Sequence, residues 1–206
     1  LLWCLVISLF FAVFNEAAKI SSYSSDIFLN RSVLLSLGYM EKSSSVSLYN
    51  KSVVGIDELA FNGFFDLEEI DLRLNRIEVI VQYTFTNLKM LDRLLLCENA
   101  ITFVDAKAFD GLTALKQLDL GNNRIDELHQ DTFKDLADLE QLNLNTNLIS
   151  TLSTNIFHGL TSLRTLNLSN NRIATIEPYA FYLLNNVQQL NLAQNQLVSL
   201  SYFIFH

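Results

Sequence analysis

The stretch LKQLDLGNNRIDELHQDTFKDLAD, residues 115–138, is followed at once by LEQLNLNTNLISTLSTNIFHGLTS, residues 139–162. Leu118, Leu120, Ile125, Leu128, Phe133 and Leu136 of the first recur as Leu142, Leu144, Ile149, Leu152, Phe157 and Leu160 of the second, and Asn123 recurs as Asn147. The period is 24 residues, and blocks open in register at Ser43, Leu67, Leu91, Leu115, Leu139, Leu163 and Val187, the last cut at its twentieth residue. A unit of this length cannot close a core alone. The blocks must stack and bury a shared one, so residues 43–206 form a solenoid of six complete repeats and one truncated repeat.

Within a block the first half reads LxxLxLxxNxI, as in LRTLNLSNNRI, residues 163–173. Its centre alternates with period two, the pattern of a short strand with one buried face: Leu166 and Leu168 point inward, Thr165, Asn167 and Ser169 outward. Such strands stack into a parallel sheet. The second half, as in IATIEPYAFYLLNN, residues 173–186, crosses back on the far side and is bulkier than a strand. That difference curves the stack and puts the sheet on its concave face.

Two columns run through the repeats. Asn75, Asn99, Asn123, Asn147, Asn171 and Asn195 fall where each strand leaves the sheet. Backbone groups there have no strand to pair with, and an Asn amide supplies both a donor and an acceptor. Lys51 holds the equivalent place in the first block and cannot accept a hydrogen bond, so the ladder should begin at Asn75. The second column, Phe61, Phe85, Phe109, Phe133, Phe157, Phe181 and Phe205, takes seven of the 15 Phe and should stack through the convex half of the core.

The full pattern, LxxLxLxxNxIxxLxxxxFxxLxx, resembles the leucine-rich repeat family in its 24-residue extracellular form, over residues 43–206. The resemblance implies an α/β solenoid with a parallel sheet on the concave face and irregular or short helical segments on the convex face. It implies a non-enzymatic extracellular module that binds a protein or a microbial glycan through that sheet, as receptors, adhesion proteins and secreted immune factors do. Two departures stand out. Residues 19–42 hold no cysteine where such proteins commonly carry a cysteine-clustered cap, and read as a degenerate N-terminal cap with Leu37 and Met40 in place of the repeat's Phe and Leu. No C-terminal cap follows the repeats within residue 206, which reads as a fragment of a longer protein.

Ahead of the repeats, LLWCLVISLFFAVF, residues 1–14, is apolar and uncharged. A membrane-spanning helix needs roughly 20 residues, whereas a secretory h-region runs about 7 to 15. Residues 1–18 therefore read as a signal peptide, the alternative being a buried core helix. No other segment is apolar enough to span a bilayer. The expected location is secreted or on the outer side of the plasma membrane.

Composition narrows the partners. Net charge is −8 at pH 7 and the Lys and Arg are scattered, which argues against nucleic acid and anionic membranes. Six Gly, one Pro and 50% hydrophobic residues suit one continuous core, with no disordered linker. No catalytic motif, metal-ligand spacing or cofactor loop is present; His129, His158 and His206 lie in crossovers of three different repeats. Cys97 is the one cysteine of the chain beyond the leader and is expected to face outward from the third strand, as a sheltered thiol or with a disulfide partner.

Function in a solenoid sits on the side chains its sheet displays. The outward positions are charged from Glu69 to Asp119 and include Leu74 and Leu95 as exposed apolar residues; from Gln141 onward they are amides and hydroxyls. Interfaces favour apolar anchors and Arg within a polar surround. The candidate ligand site is therefore Glu69, Asp71, Arg73, Leu74, Arg93, Leu95, Glu98 and Asp119. Three sequons, at Asn30, Asn50 and Asn167, are candidate glycosylation sites, and Asn167 lies on the concave sheet itself. The alternative is a structural or matrix protein that self-assembles through the solenoid or Cys97.

Overall fold

A computed structural model describes residues 26–199 and 202–205; the leader reading of residues 1–18 lies outside them. In chain order the elements are β1 (Ile27–Leu29), α1 (Arg31–Ser36), β2 (Ser45–Ser47), β3 (Val53–Ile56), β4 (Glu69–Asp71), β5 (Val79–Ile80) and β6 (Arg93–Leu95). There follow β7 (Phe103–Val104), β8 (Gln117–Asp119), β9 (Gln141–Asn143), β10 (Thr151–Leu152), β11 (Thr165–Asn167), β12 (Thr175–Ile176), β13 (Gln189–Asn191) and a 3₁₀ turn at Tyr202–Phe205. β2, β4, β6, β8, β9, β11 and β13 make one parallel sheet in that spatial order. Its register pairs Ile70 with Leu94, Leu94 with Leu118 and Leu142 with Leu166, so the sequence period has become the strand register.

Six of the seven strands of this sheet bury their central residue, Val46, Ile70, Leu94, Leu118, Leu142 and Leu166, while Leu190 of the terminal strand β13 is partly buried. Behind them the phenylalanine column stacks from Phe61 to Phe181, with successive ring centroids 5.7 to 6.4 Å apart and planes 6° to 26° from parallel. The side chain of Phe205 lies outside the described residues. Of the two forms expected for the convex side, irregular or short helical, the repeats take the irregular one. Among the described residues the repeats hold no α-helix there; the chain crosses in turns closed by bonds such as Phe64 N–H to Phe61 O, 3.1 Å, and Leu136 N–H to Phe133 O, 3.1 Å. Two-stranded ladders, β5 with β7 and β10 with β12, flank the sheet. Among the described residues no helix is long and apolar enough to cross a membrane.

The asparagine ladder begins at Asn75, whose Oδ1 accepts from the backbone N–H of Lys51 and of Val53, both at 3.0 Å. Asn147 shows the unit: Oδ1 accepts from Ile125 N–H at 3.0 Å, and Nδ2 donates to Leu120 O at 3.0 Å and Leu144 O at 3.1 Å. One amide thus joins two repeats and satisfies groups that would otherwise be buried unpaired. Just before each ladder position, and before Lys51 at the equivalent place in the first repeat, the backbone turns left-handed, with φ of 53° at Asn50, 55° at Leu74, 57° at Glu98, 51° at Asn122, 52° at Thr146, 55° at Asn170 and 56° at Gln194. The fold demands this corner of every repeat, whichever residue stands there.

The N-terminal end corrects one detail of the cap expectation, the roles given to Leu37 and Met40. β1 pairs with β3, Asn30 caps α1 by accepting from Val33 N–H at 3.0 Å, and Leu29 and Leu34 enter the core fully buried. Leu37 and Met40 do not substitute for the repeat's Phe and Leu; they are 36% and 71% exposed. The reason is local: α1 ends at Ser36, so the residues after it lie in turns outside the core. The inward place beside the first strand goes instead to Tyr39, which packs on the core.

The concave sheet as a candidate recognition surface

The outward side chains of neighbouring strands lie 24 residues apart in sequence, and several expected site residues are joined at that spacing. Arg93 on β6 donates to Glu69 on β4 at 2.7 Å. Within one repeat, Arg73 forks onto Asp71 through Nε at 2.9 Å and Nη2 at 2.8 Å, and its backbone N–H also reaches Asp71 Oδ1 at 3.1 Å. Burial alone would raise the Asp71 pKa; the hydrogen bonds and charge of Arg73 outweigh it and hold the carboxyl below its ordinary value. That same pairing pushes the Arg73 guanidinium upward. Asp71 is consequently buried, and its charge is spent inside the cluster.

Tyr49 was missed as a site residue. The Arg73 guanidinium carbon stands 5.4 Å from the centroid of its ring, and Tyr49 is 46% exposed. Tyr49, Arg73 and Asp71 thus form one preorganised group in which the fork fixes the guanidinium and the guanidinium covers the ring. A guanidinium over an aromatic face contributes about 0.5 to 1 kcal/mol at an exposed site. The signal was available: Tyr49 and Arg73 are 24 residues apart, one strand from the next.

Leu95 is corrected. Alternation places it outward, but it is only 6% exposed, held in register between Asp71 and Asp119. Strands about 4.8 Å apart leave a branched aliphatic residue between two neighbours little solvent. Leu95→Ala is therefore a packing change as much as a surface one. Leu74 and Glu98, at 36% exposed and exposed, stand on the left-handed corner where chain leaves sheet, at the rim of the patch. Ser169, also expected outward, is buried at 7%.

Asp119 faces the sheet but is partnered. Its Oδ1 accepts from Asn143 Nδ2 at 2.9 Å and from Gly121 N–H at 3.0 Å. A Cβ at Gly121 would meet Asn145 Oδ1 and Asn143 Nδ2, so a side chain there would displace those two amides. Cys97 is half-buried, and burial together with the adjacent Asp119 carboxylate pushes its thiol up to about 12. Beyond Asp119 the sheet carries Gln141, Asn143, Thr165, Asn167, Gln189 and Asn191, without a charge. At the edge where strands enter, Glu68, Met90, Asp92 and Lys116 line an open depression of about 810 Å³, crossed by the Lys116 to Asp92 pair at 2.7 Å. Among the described residues no group of His, Cys, Asp and Glu is placed to hold a metal ion.

A stack of 24-residue units with a parallel ladder on one face and an asparagine ladder at its margin defines a parallel-strand repeat solenoid. A family profile described as Leucine rich repeat matches residues 65–125, 90–149, 114–173 and 139–197, and the chain belongs to that family. The crystal structure of a TLR13–ssRNA13 complex is similar with a TM-score of 0.76 at 34% identity, over 86% of this chain and 24% of that one. An internalin (inlF) from Listeria monocytogenes is similar with a TM-score of 0.58 at 26% identity, over 75% of this chain and 43% of that one. The chain thus spans about a quarter of the first and less than half of the second. No curated protein sequence matches it.

Proposed function

We propose that this chain is a non-enzymatic recognition module working outside the cell, and that it binds a protein through the N-terminal half of its concave sheet. The observation that carries this reading is the Tyr49–Arg73–Asp71 group. Tyr and Arg are the residues most often found to dominate interfaces, and here both are held rigid before any partner arrives, which lowers the ordering cost of binding. The Glu69–Arg93 pair and the rim residues Leu74 and Glu98 surround it.

The RNA of the TLR13 complex does not carry over to this chain. A phosphate backbone calls for free cations, and both Arg of the concave patch are committed to carboxylates in a chain of net charge −8. Assembly through Cys97 is disfavoured by the same chemistry, since the thiolate is the reactive form and this thiol is held protonated.

The test uses a photo-crosslinking phenylalanine analogue in place of Tyr49, with the exposed convex residue Tyr182 replaced as the control, against a pool of extracellular proteins. One captured species at position 49, absent at 182 and lost when Arg73→Ala is added, supports the site. Equal labelling at both positions overturns it. Capture of RNA with a steep salt dependence would move the partner to nucleic acid.

A further inference from the structure

We propose that Asn167 carries an N-linked glycan that covers the C-terminal half of the concave sheet and confines the ligand to the half holding Tyr49 and Arg73. This rests on the extracellular reading above. The three sequons differ in place. Asn30 caps α1, and Asn50 lies on a left-handed corner at φ 53°, outside the strands. Asn167 ends β11, paired in register with Asn143 on one side and Asn191 on the other.

The geometry of the amide accommodates a glycan in the folded chain. Asn167 Oδ1 accepts from Ser169 N–H at 3.1 Å and from Ser169 Oγ at 2.8 Å, which fixes the plane of the amide. Its Nδ2 makes no hydrogen bond among the described residues, whereas Asn143 one strand away uses Nδ2 on Asp119 at 2.9 Å. A substituent on Asn167 Nδ2 therefore breaks nothing and leaves the acceptor in service.

In the transfer, Nδ2 attacks the anomeric carbon of an oligosaccharide linked to a lipid pyrophosphate. The new C–N bond replaces the anomeric C–O bond, the lipid pyrophosphate leaves, and the nitrogen gives up one of its two protons to the transferase. No electron changes hands. Strands stand about 4.8 Å apart, so a glycan of even two sugars reaches over β9 and β13. The surface it covers, Gln141, Asn143, Gln189 and Asn191, has no charge and no aromatic anchor. The open remainder is the half with both.

The experiment expresses the full chain with its own N-terminal segment in glycosylating cells and maps peptides from the medium. A glycan on the Asn167 peptide, converted to Asp by amidase release, is the expected result. Secreted protein with Asn167 mainly unmodified overturns the inference alone; retention in the cell with every sequon unmodified overturns the extracellular reading and this with it. Coverage is read separately with Asn191→Cys and a bulky maleimide. Asn167→Asp, which keeps the acceptor for Ser169, should raise the labelling rate at position 191 at least about tenfold, and equal rates overturn the covering.

Discussion

The hydroxyl of Tyr39 donates to the carbonyl oxygen of Ser47 at 2.5 Å and accepts from the same residue's N–H at 3.1 Å. β2 is the terminal strand of the concave sheet, so one side chain stands in for a further strand at its exposed edge. Tyr39→Phe removes both bonds and keeps the ring. Stability should fall by about 1 kcal/mol, measured by urea unfolding, and self-association should rise in sedimentation because the edge is open. An unchanged midpoint would show that water serves the edge equally well.

The hydroxyl of Thr132 is buried and has no hydrogen-bond partner among the described residues. Two repeats earlier Thr84 donates to Val81 O at 2.8 Å from the same position, where Ala60, Ala108 and Ala180 stand in other repeats. Thr132→Ala should be neutral or stabilising by up to about 1 kcal/mol, and Thr84→Ala destabilising by about 1 kcal/mol. Thermal unfolding that ranked the two the other way would refute the assignment.

Phe133 is fully buried, with the rings of Phe109 and Phe157 each 6.4 Å from its own. Phe133→Ala should cost about 3 to 5 kcal/mol, since repeats on both sides lose a neighbour and cannot collapse onto the gap. Denaturant unfolding checks it. A loss under about 1 kcal/mol would mean that the stack is not a structural spine.

What was legible in the sequence was whatever repeats. The ladder from Asn75 and the stack from Phe61 depend on one residue type recurring at one position, and a period of 24 places each member beside the next. The cap is not periodic, so nothing marked Leu34 and Tyr39 as its inward residues ahead of Leu37 and Met40. Leu95 was misplaced for another reason: alternation tells which way a side chain leaves the strand and says nothing of how its neighbours cover it. The pairing of Glu69 with Arg93 was within reach, because opposite charges one period apart stand on adjacent strands. Weighing the patch by charge and exposed leucine passed over Tyr49, whose value lies in the guanidinium across it.

Cys97 provides a test by pH. Burial and Asp119 push its thiol up to about 12, above the roughly 8.5 of a free cysteine. At pH 8 the thiolate fraction, and with it alkylation by iodoacetamide, should be lower than for an exposed thiol by roughly 10³-fold, and Asp119→Asn should quicken it. The linked stability has a definite sign. Above about pH 8.5 the unfolded chain loses this proton while the folded chain keeps it, so this contribution is lost as pH rises toward the folded value. Mass-spectrometric alkylation rates matching a free thiol would remove the effect.

Leu74 separates folding from binding. Its φ is 55°, a conformation that costs a branched aliphatic residue about 1 to 2 kcal/mol and that Asn tolerates, as Asn50, Asn122 and Asn170 do at the same corner. The backbone bond there, Leu74 N–H to Cys97 O at 3.3 Å, does not depend on the side chain. Leu74→Asn should therefore stabilise the fold by about 0.5 to 1 kcal/mol. The side chain is 36% exposed at the rim of the patch, so if it touches the ligand the same change should weaken capture. Stability and binding then move in opposite directions in one variant, which a general loss of structure cannot produce. A lower unfolding temperature would sink the conformational account, and unchanged capture by a more stable protein would remove Leu74 from the binding surface.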